Sequence, residues 1–233
     1  MKRKKIIGDF IRQYKDLCRL SALSVLVSIA YVFTADLPEW FSFAEELFAL
    51  INALGLAIIA NCIFCFFQVY LPECRERECV EPVMSLSIEK ILRLIGDPYE
   101  RIYHQKTGTN LDFDKIPKEE MKTLLEGVDP KGDLGYKAVS SDSRLVAPPT
   151  YWVVHQNIEK AQKEIEQLIG LFGKYLDGEE VSLLMNIHKC SYFTLITQFH
   201  NSGVLDKLTN LGPSEDLVPL QELYIQLKKY ASK

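Results

Sequence analysis

Residues 47–71, LFALINALGLAIIANCIFCFFQVYL, run for 25 positions without a charged side chain, and their strongly polar members are Asn52, Asn61 and Gln68. At 1.5 Å per residue, a helix of this length covers roughly 37 Å, enough to cross a hydrocarbon core of roughly 30 Å. A core helix of a soluble protein carries a polar stripe every third or fourth residue. This run has none, so it predicts a transmembrane helix.

Working outward, residues 20–35 (LSALSVLVSIAYVFTA) give a second uncharged run of 16 positions. Lys2, Arg3, Lys4 and Lys5 resemble the basic region of a signal peptide. However, some fifteen amphipathic residues separate them from the apolar run, and Phe33-Thr34-Ala35 is a poor small-x-small cleavage site. With Arg19 snorkelling at one end and the run extended to about residue 36, this stretch also reads as a span.

Charge sets the expected orientation. Seven basic residues precede the first span, whereas residues 36–46 hold four acids and no Lys or Arg. Arg75, Arg77, Lys90 and Arg93 follow the second span. The positive-inside rule then places both termini in the cytoplasm of a bacterial inner membrane, with a short acidic outer turn flanked by Trp40, Phe41 and Phe43 as interfacial aromatics. In residues 1–19, the apolar side chains of 6–18 recur at three- and four-residue spacing. Lys2, Arg3, Lys4, Lys5, Arg12, Lys15 and Arg19 supply contacts to an anionic lipid surface. The same segment also reads as a plain extension of the first span.

Within the spans, Ala49, Ala53, Ala57 and Asn61 recur every four residues, Ser24 and Ser28 share that spacing, and Asn52 is a further polar position. Small residues at this interval let helices approach closely, and Asn and Ser can hydrogen-bond across the contact. They serve either hairpin packing within one chain or a subunit interface or pore lining, since intramembrane polar groups are costly. Neither span contains an acid or base, which argues against proton-coupled transport.

From Pro72 the composition turns charged. Residues 1–72 carry a net +1, and the remainder, with 20 basic against 25 acidic residues, a net −5. That balance makes direct nucleic-acid binding an unlikely role. Leu71-Pro72 reads as a helix stop, and helices are expected at 85–95 (ending before Gly96-Asp97-Pro98), 117–126, 151–176, 179–201 and 214–231. The longest has Val154, Ile158, Ala161, Ile165, Leu168, Ile169, Phe172 and Tyr175 on one stripe. The fold class expected is all-α: an N-terminal two-helix transmembrane hairpin (20–71, spans about 20–36 and 47–71), then a mostly helical cytoplasmic domain. That domain divides into a membrane-proximal helical region (73–126), a loop (127–149) rich in Gly, Pro, Ser and Asp, and a C-terminal helical unit (150–233). The loop reads as a linker or as a partner-binding or gating element.

The search for chemistry yields little. The phosphate-binding loop, the dinucleotide glycine fingerprint, the nucleophile elbow and the paired-His zinc helix are all missing. Cys62-x-x-Cys65 has redox or metal spacing but lies in the apolar run. Cys74 and Cys79 sit at its exit beside Arg75 and Arg77, a placement that reads first as coincidence, with an activated thiol or a palmitoylation site as the alternatives. With Cys18 and Cys190, all six cysteines read as reduced thiols. His188 and His200, taken on one helix, lie about 120° apart in projection and cannot chelate one ion, while His104 and His155 are remote in sequence. Asp112, Asp114, Glu119 and Glu120 read as a solvated helix start. Neither a catalytic site nor a cofactor or metal is expected.

The two-span layout of residues 1–72 is similar in architecture to small bacterial toxin and antiviral effectors, including the two-span effectors encoded beside retrons, without a diagnostic motif. The resemblance implies a membrane effector whose hairpin oligomerises and perturbs the inner membrane under control of its cytoplasmic domain. The alternative is a membrane-anchored adaptor or sensor binding a cytoplasmic protein partner. An enzyme working near the bilayer ranks below both. The partners expected are the lipid bilayer and either further copies of the chain or that protein.

Overall fold

The computed structural model describes residues 3–34, 43–139, 145–203, 211 and 214–231. The chain is about 80% helical with almost no strand, and it divides into two compact units, Met1–Cys79 and Val80–Lys233.

In the first unit, α1 (Arg3–Gln13) and α2 (Lys15–Thr34) follow one another across Tyr14. The backbone bonds Tyr14 N–H to Phe10 O (2.9 Å) and Cys18 N–H to Tyr14 O (3.0 Å) carry the helical ladder through the junction. α3 (Ala44–Phe64) runs antiparallel to α2: Cys18 lies at the level of Cys62 and Ser24 against Gly55. Phe43 starts α3 with φ 72°, a left-handed backbone that costs a bulky residue energy. Two helices in this part of the chain are long and apolar enough to cross a membrane, and only 6% of either apolar window is buried within the chain.

The expected stop at Leu71-Pro72 is not one. α3 passes into a π-helical segment, Cys65–Tyr70, and then into α4 (Leu71–Thr107) without a break. A proline ring clashes with the carbonyl four residues back and offers no N–H. A π turn lies just ahead of Pro72, where Leu71 N–H bonds Phe66 O, so the regular four-residue ladder is already replaced there.

The expected stop at Gly96-Asp97-Pro98 is also overridden. α4 continues through Pro98 to Thr107, because Ile91, Ile95, Tyr99 and Ile102 form one stripe that is 2% exposed or less. Burying four such side chains outweighs the roughly 3 kcal/mol cost of an internal proline. Gly96 is not a cap but a point of close approach: a Cβ there would stand 3.0 Å from Glu100 Oε1 and 3.3 Å from the Tyr224 hydroxyl.

In the second unit, the stretch expected as a helix at 117–126 is α5 (Lys118–Met121) followed by tight turns. Residues 127–149 include a two-stranded antiparallel pair, β1 (Ala138–Val139) and β2 (Leu145–Val146). α6 (Thr150–Phe172) buries Val154, Ile158, Ala161, Ile165 and Leu168 from the expected stripe, with Ile169 and Phe172 packed partly buried against the core.

The single helix expected over 179–201 is two, α7 (Gly178–His188) and α8 (Ser191–Asn201). Cys190 turns extended, so Leu184 and Ile187 before the bend and Tyr192, Phe193 and Ile196 after it all reach the same core. α9 (Leu217–Ala231) closes the unit. Both sides of the 127–149 stretch feed this one core, and Gln221 on α9 donates to Phe113 O and Ile116 O, both at 2.8 Å.

Candidate functional site

The two faces of α3 differ. Towards α2 it presents Gly55, which is buried, with Asn52, Ile59 and Cys62 half-buried, a spacing of three and four residues. Ser24 on α2 is 7% exposed and sits against Gly55, where a Cβ would lie 3.4 Å from Ser24 Cβ. The antiparallel register brings Ser28 to the level of Asn52, and the Ser28 hydroxyl and Asn52 Oδ1 are buried without a hydrogen-bond partner. Ser24, Ser28 and Asn52 thus belong to the α2–α3 contact.

Ala49, Ala53, Ala57 and Asn61 do not. All four are exposed, and Ala53 and Ala57 lie roughly 160° around the helix from Gly55. The four-residue repeat legible in the sequence is therefore not the surface that packs α3 on α2, which uses Gly55 and its neighbours instead.

At the opposite end of α2–α3 from Phe43, Phe10 is 5% exposed and meets Phe66 edge-on at 4.9 Å, with Tyr14 at 5.1 Å and Tyr70 at 5.1 Å. The apolar stripe of α1 is thus split: Phe10 and Tyr14 pack against the π segment, while Ile7 and Ile11 stay about half exposed. Of the basic residues assigned to lipid contact, Arg12, Lys15 and Arg19 are exposed, Arg19 lying 3.7 Å from Asp16. Lys2 and the side chains of Arg3, Lys4 and Lys5 lie outside the described residues, as do Trp40 and Phe41. Cys62 faces Cys18 whereas Cys65 faces the Tyr14 hydroxyl, so the Cys-x-x-Cys pair points at two different partners.

In the second unit, His155 and His200 stack with ring centroids 3.7 Å apart and 23° between planes. His155 is 6% exposed, and its Nδ1 is buried without a partner. Burial first, then the neighbouring His200, holds the His155 pKa below that of a free imidazole, against a smaller opposing pull from Glu159. Ring-nitrogen lone pairs lie in the ring plane, so stacked imidazoles do not converge on one ion. His188 Nε2 instead meets Glu166 Oε1 at 2.9 Å. His188 and His200 stand on separate helices, α7 and α8, and not on the single helix expected for them. Sequence reading missed the pair because 45 residues separate its members and no local signal links them.

The carboxylates singled out at 112–120 are paired with cations or a hydroxyl: Asp112 with Lys115 (2.7 Å), Asp114 with Lys228 (2.6 Å), which also lies 4.0 Å from Asp112, Glu119 with Lys122 (3.0 Å) and Glu120 with the Tyr103 hydroxyl (2.7 Å). A cleft of about 440 Å³ runs along Asp97, Glu100, Arg101 and His104 of α4. Burial raises the pKa of both Asp97 and Glu100, and Glu100 accepts a hydrogen bond from Phe113 N–H at 2.9 Å. The Arg101 guanidinium lies 4.2 Å over the Tyr136 ring. The cleft offers charge and hydrogen bonding but no activated nucleophile beside a base. Among the described residues, no three His, Cys, Asp or Glu side chains are grouped to hold a metal ion. The chain matches no protein-family model, no curated protein and no solved structure.

Proposed function

We propose that the chain is a two-span effector of the bacterial inner membrane, with both termini in the cytoplasm, whose α2–α3 hairpin self-associates and perturbs the membrane under control of the helical Val80–Lys233 unit. One observation carries this reading. The small-residue face Ala49, Ala53, Ala57 and Asn61 remains exposed after α2 has packed on α3 through Gly55. An amide such as Asn61 facing hydrocarbon is costly, whereas a second copy approaching along three alanines satisfies it at close range. Antiviral defence is the biological setting that best suits such an effector.

Inducible expression in a bacterial host tests it, with membrane potential followed by a voltage-sensitive dye for the full chain and for residues 73–233. Depolarisation by the full chain alone is the expected result. A membrane-inserted full chain that leaves the potential unchanged favours the second reading, a membrane-anchored adaptor. The exposed Leu86 (65%), Leu145 (69%) and Leu171 (70%) are the features that speak for that reading, as contacts for a cytoplasmic protein.

A further inference from the structure

We propose that His155 and His200 form a proton-operated latch that holds the last turn of α8 on α6 at neutral pH and releases it on acidification.

The start of α8 is anchored independently, since Tyr192 and Phe193 are fully buried. After Ile196, 1% exposed, no residue of α8 is buried, and the helix ends in a turn at Gly203 with φ 64°. Among the described residues, a ring stack joins this end to α6, 3.7 Å between centroids, from exposed His200 onto buried His155.

Two neutral imidazoles stack favourably. Two imidazolium ions at that separation repel, and one of them would be charged inside the core. The groups that act on His155 are His200 from α8 and Glu159 from α6. Glu159 is already bonded to Lys163 at 2.7 Å, which leaves it a weak counter-charge. A charge on the buried His155 ring is therefore poorly compensated while the rings are stacked, and the closed arrangement disfavours it.

The linkage sign follows from the lowered pKa of His155. The closed state binds fewer protons than the open one, so closure is fully favoured above the ordinary imidazole range near pH 6.5. It weakens as pH falls below that range. The inference concerns α6 and α8 alone and does not depend on what the hairpin does in a membrane.

Hydrogen–deuterium exchange of the full chain in detergent, at pH 7.5 and pH 5.5 with rates corrected for intrinsic chemistry, reads the latch directly. Protection of residues 197–201 is expected to fall severalfold at pH 5.5 in the wild type, and to persist in His200→Phe and His155→Phe, which keep an aromatic stack without the charge. His188→Gln should lose protection as the wild type does. If His155→Phe disturbs α6 already at pH 7.5, the exposed His200→Phe decides. Equal wild-type protection at both pH values overturns the proposal, and so does an acid-induced loss that His200→Phe leaves unchanged.

Discussion

Ser24 and Gly55 mark a close approach of α2 to α3: a Cβ at position 55 would stand 3.4 Å from Ser24 Cβ and 3.6 Å from Ser24 O. A methyl group there would make ordinary van der Waals contact with Ser24, whereas a larger side chain would push against it. Gly55→Leu should therefore part the helices, at a cost of about 1–3 kcal/mol. Thermal unfolding of the detergent-solubilised chain should begin at lower temperature in this variant. An unchanged melting profile would mean the two helices do not meet at this glycine.

The outward face of α3 makes a separate prediction. Ala53→Leu and Asn61→Leu leave the Gly55 contact untouched, so hairpin stability should hold, while the self-association and depolarisation proposed for the hairpin should weaken. Chemical cross-linking in membranes and the voltage-dye assay check both. Full activity of both variants at equal expression removes this face as the working surface.

In the second unit, Gln221 is 2% exposed and bridges Phe113 O and Ile116 O. Gln221→Leu keeps the volume but strands two buried carbonyls, at about 1–3 kcal/mol. A drop of several degrees in melting temperature is expected, together with faster hydrogen exchange at residues 113–116. A neutral effect would place the ordering of that segment elsewhere.

Asp97 gives a pH signature. Burial raises its pKa against the pull of Arg101 and Arg93, so the folded state gives up this proton less readily than the unfolded chain. Its ionisation therefore costs stability as pH rises through the carboxylate range, and the cost is fully present at neutral pH. Asp97→Asn should raise the melting temperature at pH 7, with the gain vanishing below about pH 4. A variant less stable than wild type at pH 7 would reveal a favourable partner for the carboxylate.

Much of the local structure is legible in the residues. The charge-free run at 47–71 dictates a long apolar helix, long and apolar enough to cross a membrane, and the stripe from Val154 to Leu168 dictates which side of α6 is buried. Both follow from periodicity, which depends only on neighbours within a few turns. Proline and glycine mislead for the same reason. Pro72 and Pro98 each carry a local penalty, and the sequence shows neither the π turn that precedes Pro72 nor the burial of Ile95, Tyr99 and Ile102 around Pro98.

Tertiary structure decided the rest. It split 179–201 at Cys190 so that both halves could reach one core, and it turned Gly96 from a terminator into a contact with Glu100 and Tyr224. It assigned Gly55 rather than the alanine repeat to the α2–α3 contact, and it brought His155 onto His200. Each of these depends on which surfaces meet after the chain has folded back on itself. Residues tens of positions apart then share one environment, and no window of sequence contains both partners.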